Sequence, residues 1–166
     1  MEFVNSLSFS ANGELICGAA ALDRARLEAL HAPDAELLPA QSLQELGEAL
    51  VDARFICHPA TRIVAPAQAL VTNWERLQQG AGEMAVAGNK IAQGPVQGAL
   101  VTRPQGRVLV RGTTPASTQF GHSLQAGATV MAAYEQAVAL DEAFDLTQCF
   151  SEFLEVGAFS GVEPSG

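Results

Sequence analysis

Chemistry needs convergent donor groups, and the residues able to supply them are few and scattered in this chain. His31, His58 and His122 stand alone, with no HxxxH or HExxH spacing and no paired carboxylates beside them to assemble a metal or acid–base site. Cys17, Cys57 and Cys149 are odd in number and far apart, which fits neither a disulfide framework nor a CxxC knuckle. Reduced, largely buried thiols are expected. Cys57 and His58 are the adjacent pair able to reach a ligand or a partner's site, and the competing reading of His58 is a turn histidine before Pro59. No nucleophile elbow appears, and the glycine-rich stretch from Gly80 to Gly98 lacks the GxGxxG or GKS/T spacing of a phosphate cradle. These residues imply a chain with no catalytic and no metal-ligating set of its own. An independent enzyme using Cys57 and His58 is the outlying alternative.

Charge says more. Nine Lys and Arg against eighteen Asp and Glu give a net charge of -9, the wrong sign for attraction to a phosphate backbone, so nucleic acid is not an expected partner. The imbalance is uneven along the chain. No acidic residue lies between Glu83 and Glu135, whereas Lys90, Arg103, Arg107 and Arg111 do. Two readings of this basic stretch stand side by side: a docking edge for an acidic partner segment, or positive residues that protect an edge strand from aggregation.

The elements that must carry these residues can be read from pattern. Ala99–Arg103 and Arg107–Arg111 are two β-prone runs joined by Pro104-Gln105-Gly106, a hairpin in which Gly106 suits positive φ. Alternation sends Val108 and Val110 to one face and Arg107, Leu109 and Arg111 to the other. Three short helices follow. The first starts at Thr114-Pro115, places Phe120 and Leu124 four apart and ends at Gly127; the second has Thr129 as cap and Val130, Tyr134 and Val138 as its stripe. The third begins near Asp145, aligns Leu146, Phe150, Phe153 and Leu154, and stops at Gly157. That last stripe could line a peptide groove or simply be core.

Upstream, an Ala/Leu/Arg-rich helix around Ala19–Leu30 ends at Ala32-Pro33. A second starts at the capping-box pattern Ser42-Leu43-Gln44-Glu45 and runs to about Ala53, with Leu43, Leu46 and Leu50 on one side. After a boundary at Cys57-His58-Pro59, Thr61–Ala65 reads as a strand. Pro66 opens a helix bearing Leu70, Trp74 and Leu77 and stopping at Gly80. Gly80–Gly98 is a connector anchored by Val86 and Ile91. The fold class is α+β: an N-terminal helical arm over residues 1–57, and a winged-helix-like module over residues 58–166 with a three-stranded antiparallel sheet and three C-terminal helices.

At 166 residues, 48% hydrophobic and 16% charged, the chain has the composition of a packed domain and not of a disordered tail. It contains no run approaching the roughly 18 apolar residues of a membrane span, and Met1–Ser10 lacks the features of a signal peptide. A cytoplasmic location is expected.

The hairpin Gly106-Arg107-Val108-Leu109-Val110, followed by Gln125-Ala126-Gly127-Ala128-Thr129 and by Asp145-Leu146 and Phe153–Phe159, resembles the peptide-recognition domain of ribosomally made peptide (RiPP) pathways. That resemblance implies a small winged helix that takes up a leader peptide as an added strand on the hairpin's outer edge, with leader side chains entering a groove against the third helix. A longer resemblance covers Leu22 to Gly161. Arg26-Leu27-Glu28, Leu30–Ala35, His58–Arg62, Asn73-Trp74, Ala126–Thr129 and Phe144-Asp145-Leu146 are similar to the bufferin and methanobactin partner-protein family. Longer members carry a further N-terminal helical domain; this sequence is similar to the shorter form, found with 3-thiaglutamate-type peptide-modifying enzymes.

The resemblance implies a non-catalytic subunit that binds a precursor peptide and presents its cysteine to a TIM-barrel oxidase with a multinuclear iron centre, in a heterodimer. The iron and the chemistry would then belong to the partner. It assigns peptide binding to Arg103, Arg107, Val108, Leu109, Val110, Arg111, Leu146, Phe150 and Phe153, and the partner interface to His31, His58 and Pro59. A winged-helix DNA-binding regulator is the alternative. Against it, the third helix carries Asp145, Glu152 and Glu155 and no Lys or Arg.

Overall fold

The computed structural model describes residues 2–79 and 94–163. Most of the expected glycine-rich connector, with Val86, Lys90 and Ile91, lies outside them. Within them the fold is α+β: six α-helices, a three-stranded antiparallel sheet and a two-stranded sheet. None of the described helices is long and apolar enough to cross a membrane.

The chain opens with α1, Glu2–His31, far longer than its Ala/Leu-rich half suggests. The preceding residues mix Ser, Asn, Val and Gly, which are weak helix formers, so propensity alone does not reveal this half of the helix. Ala19, Leu22, Ala25 and Ala29 form its buried stripe. Next come α2, Ala40–Leu46, and a 3-10 segment, Gly47–Asp52, in place of one helix from Ser42 to Ala53. Gly47 breaks the run with φ +49°, a conformation cheap only for glycine. The capping box does not form either, because α2 begins before Ser42 with extended Pro39 at its N-cap, and Ser42 N–H bonds the Pro39 carbonyl at 3.0 Å. Leu43, Leu46 and Leu50 still share one side and pack on the core.

Two strands follow, β1 (Arg54–Cys57) and β2 (Arg62–Gln68). Pro66 lies inside β2 and opens no helix. A bulge between Val64 and Ala67 takes this residue, which has no N–H to give the ladder, out of register. Helix α3, Leu70–Gln79, starts after Ala69 at φ +46°. It is pinned to α1 by the Trp74 indole N–H donating to Asp23 at 2.9 Å and by the Arg26 guanidinium 4.9 Å from the Trp74 ring centre.

Strand β3, Val96–Thr102, and β4, Leu109–Thr113, form the expected hairpin, each strand displaced by a few residues from the sequence reading. The order is β2-β3-β4, all antiparallel, which leaves β4 on one edge. Pro104–Gly106 turns the chain, with Gln105 at φ +51° and Gly106 at φ +78°. Side chains alternate between two cores. Ala99 and Val101 join Val64, α1 and α3 on one face, with Val108 and Val110 partly buried beside them. Leu100 and Ile63 face the other core, built on the C-terminal helices.

Those helices are α4 (Pro115–Gln125), α5 (Val130–Val138) and α6 (Leu146–Glu155). Their caps are the residues the sequence offers: Thr114, Thr129 and Asp145 accept the N–H of Ser117, Ala132 and Gln148. Gly127 and Gly157 follow α4 and α6 with φ +85° and +69°. In α5 the fully buried positions are Val130, Ala133 and Ala137, with Tyr134 and Val138 at the margin of that stripe. Rings of Phe55, Phe120, Phe144, Phe150, Phe153 and Phe159 pack with centroids 4.9 to 6.4 Å apart, mostly tilted or edge-on. Phe159 belongs to β5, Phe159–Glu163, which pairs with β1. That pairing, unmarked by any hairpin signal, carries the chain across the expected junction at Cys57.

Candidate functional site

The hairpin's outer strand leads to the candidate site. Among the described residues β4 pairs with β3 alone. Cross-strand register puts Val110 opposite Val101, and Leu109 and Arg111 opposite Thr102 and Leu100. Leu109 and Arg111 therefore stand on the α6 side of the sheet, with Leu109 38% exposed. Arg111 lies 3.8 Å from Glu155 on α6. Arg107 is exposed, and no ion pair to it forms among the described residues.

Arg103 is elsewhere. Its side chain is only 10% exposed, donates to the Ala32 carbonyl at 2.6 Å and pairs with Asp34 at 2.8 Å. It clamps the loop after α1 onto the hairpin and leaves the β4 edge to the other residues.

Between the end of β4 and the first turns of α6 runs an open cleft of about 330 Å³, lined by Gly112, Thr113, Asp145, Gln148, Cys149 and Glu152 among others. Asp145, Gln148 and Glu152 recur at helical spacing on the flank of α6, a sequence signal hidden by the more obvious apolar stripe beside it. That stripe supplies core. Phe150 and Phe153 are buried in the aromatic cluster and Leu146 packs against it, so none of the three lines the cleft. Burial pushes the Cys149 thiol up to about 11, with the Asp145 and Glu152 charges acting in the same direction and a Ser117 hydrogen bond against them. A thiol held protonated in this way is a poor nucleophile and metal ligand.

His58 is buried and fully used within the chain. Its Nδ1 accepts the Ala60 N–H at 3.1 Å, which places the proton on Nε2, where it faces the Ala35 carbonyl at 3.1 Å. A second pocket of about 420 Å³ lies where His58, Arg103, Asp34 and the Gln105-Gly106 turn meet. Burial alone pushes the Cys57 thiol up to about 11. Pro59 and His31 are exposed. Arg62 connects their two elements, donating to the Pro59 carbonyl at 2.7 Å and to Glu28 of α1 at 3.0 Å. Among the described residues no three His, Cys, Asp or Glu side chains gather as a metal site.

No protein-family model matches this chain, and neither does a curated protein or a solved structure.

Proposed function

We propose that this chain is a non-catalytic, cytoplasmic peptide-capture subunit of a RiPP pathway. It takes a ribosomally made precursor peptide onto β4 as a fourth strand and presents the peptide's cysteine to an iron-dependent TIM-barrel oxidase bound as its heterodimer partner. The observation that carries this reading is the cleft between β4 and α6, beside a strand whose outer edge pairs with none of the described residues. Main-chain hydrogen bonds along such an edge give sequence-tolerant affinity, and a flanking groove selects side chains. The order of elements, a three-stranded sheet followed by three helices, agrees with the resemblance that suggests the role. The exposed His31 and Pro59, joined through Arg62 and Glu28, offer the partner enzyme a surface away from that edge, whereas His58 is engaged internally. A DNA-reading role is opposed by charge, because residues 112 to 166 contain seven Asp and Glu and no Lys or Arg.

The test is an amide NMR titration of the full chain with synthetic peptides covering the short cysteine-containing reading frames that flank its gene. One peptide should shift Leu109–Thr114 and α6 and leave α1 unmoved. Shifts of α6 and the hairpin with duplex DNA, and none with any peptide, would replace this reading with the regulator.

A further inference from the structure

We infer that the strand captured on β4 is cationic on one face: a segment of the pattern Lys/Arg–apolar–Lys/Arg whose basic side chains turn toward α6. This rests on the peptide-capture reading of the same edge and names what that edge selects. It reverses the acidic ligand that the hairpin arginines suggest from sequence.

Little positive charge remains available on the hairpin. Arg103 is withdrawn into the clamp with Ala32 and Asp34, and Arg111 stands opposite Glu155. Arg107, at the turn, is the remaining base of the hairpin. The opposite wall is of one sign. Asp145 and Glu152 both line the cleft, and both act on the Cys149 thiol between them. No Lys or Arg occurs from residue 112 onward to neutralise them. A cleft with low-dielectric walls and one sign of charge concentrates the opposite sign.

Geometry sets the spacing. Asp145 and Glu152 are seven residues apart on α6, about 10 Å along its axis. Same-face positions of an added strand recur about every 6.8 Å. Two long basic side chains two or four residues apart therefore reach both carboxylates from the Gly112–Thr113 end of β4. The intervening residue of the added strand turns to the other face of the sheet. There Val110 is partly buried, and Gly112 has no side chain of its own, with Val71 3.6 Å from where a Cβ would stand. That side offers apolar contact from Val110 and Val71, with the Gln97 amide beside them.

The experiment selects a phage-displayed library of random peptides of roughly a dozen residues on the full chain. Enriched sequences are then synthesised, and their binding is measured by fluorescence polarisation and mapped by amide NMR. Peptides that shift β4 and α6 should be enriched in Lys or Arg at alternate positions. Their affinity should fall roughly threefold to tenfold in the Asp145→Asn, Glu152→Gln double variant, and by a similar factor between low salt and about 0.3 M salt. Asn retains the helix cap, and circular dichroism checks the fold. Peptides that bind at β4 with acidic or no charge preference, or with affinity unmoved in the double variant, overturn this inference and leave the capture reading standing. If no peptide shifts β4, both are overturned.

Discussion

Replacing His58 with Ala is the sharpest test of what holds the β1–β2 turn against the loop after α1. The ring is 4% exposed and makes one bond inward and one outward. Without it, the N–H of fully buried Ala60 loses its acceptor, at about 1 to 3 kcal/mol. Lost packing of the ring adds about 1 kcal/mol. The Ala35 carbonyl sits on an exposed residue where water can replace the ring N–H, so its contribution is near zero. The expected loss is about 2 to 4 kcal/mol, which for a chain of this length is a fall in Tm of roughly 5 to 15 °C. His58→Asn places an amide oxygen near the position of Nδ1 and should recover most of this, whereas His58→Gln restores only the outward bond and should behave like Ala. Differential scanning calorimetry on the four proteins reads the order directly. An Ala variant that melts with the wild type, or a Gln variant more stable than the Asn variant, would refute the assignment of the inward bond as the stabilising one.

Three further expectations follow from the packing and the proposed role. A Cβ at Gly98 would press on the Thr118 hydroxyl and stand 2.9 Å from both the Thr113 hydroxyl and the Val64 carbonyl, so Gly98→Ala should cost about 2 to 3 kcal/mol in urea unfolding; a neutral result contradicts the close approach of β3 to α4. The Cys57 and Cys149 thiols are raised from 9.0 to about 11 in the folded chain, so their contribution is fully present below pH 9 and lost as pH rises toward 11. Tm should drop over that window and drop less in the Cys57→Ala, Cys149→Ala variant, and an equal drop in both proteins assigns the effect to other groups. Adding the barrel enzyme should slow hydrogen exchange within Leu43–Thr61, and unchanged exchange there moves the partner surface elsewhere.

What the sequence revealed was local chemistry. Thr114, Thr129 and Asp145 could be read as caps and Gly127 and Gly157 as stops because each acts within one turn of its own helix. The hairpin showed for the same reason. Pro66 misled because its missing N–H is accommodated by a bulge that depends on β3, a strand thirty residues away. The strands β1 and β5 gave no signal, since their pairing is decided by two distant segments meeting over Phe55 and Phe159. At the candidate site the edge position of β4 and its face alternation were legible, but the charge the edge meets was not. Whether Arg103 and Arg111 are available depends on Asp34 and Glu155, residues that only the fold brings to them.

The β1–β5 ribbon has a consequence for how the molecule is made. Arg54 pairs with Glu163, so the ribbon closes a loop spanning most of the chain, and closing it brings Phe159 against Phe55 and Phe150. Contacts this distant in sequence are entropically slow to form and should come late in folding. On the ribosome they cannot form until β5 has emerged. A chain cut before Phe159 keeps every residue of β4 and the cleft, yet leaves the rings beneath α6 uncovered. Emergence of β5 therefore sets the rigidity of the wall against which a ligand strand would dock, and chains cut before Phe159 should be recognisable to proteases by that open aromatic face.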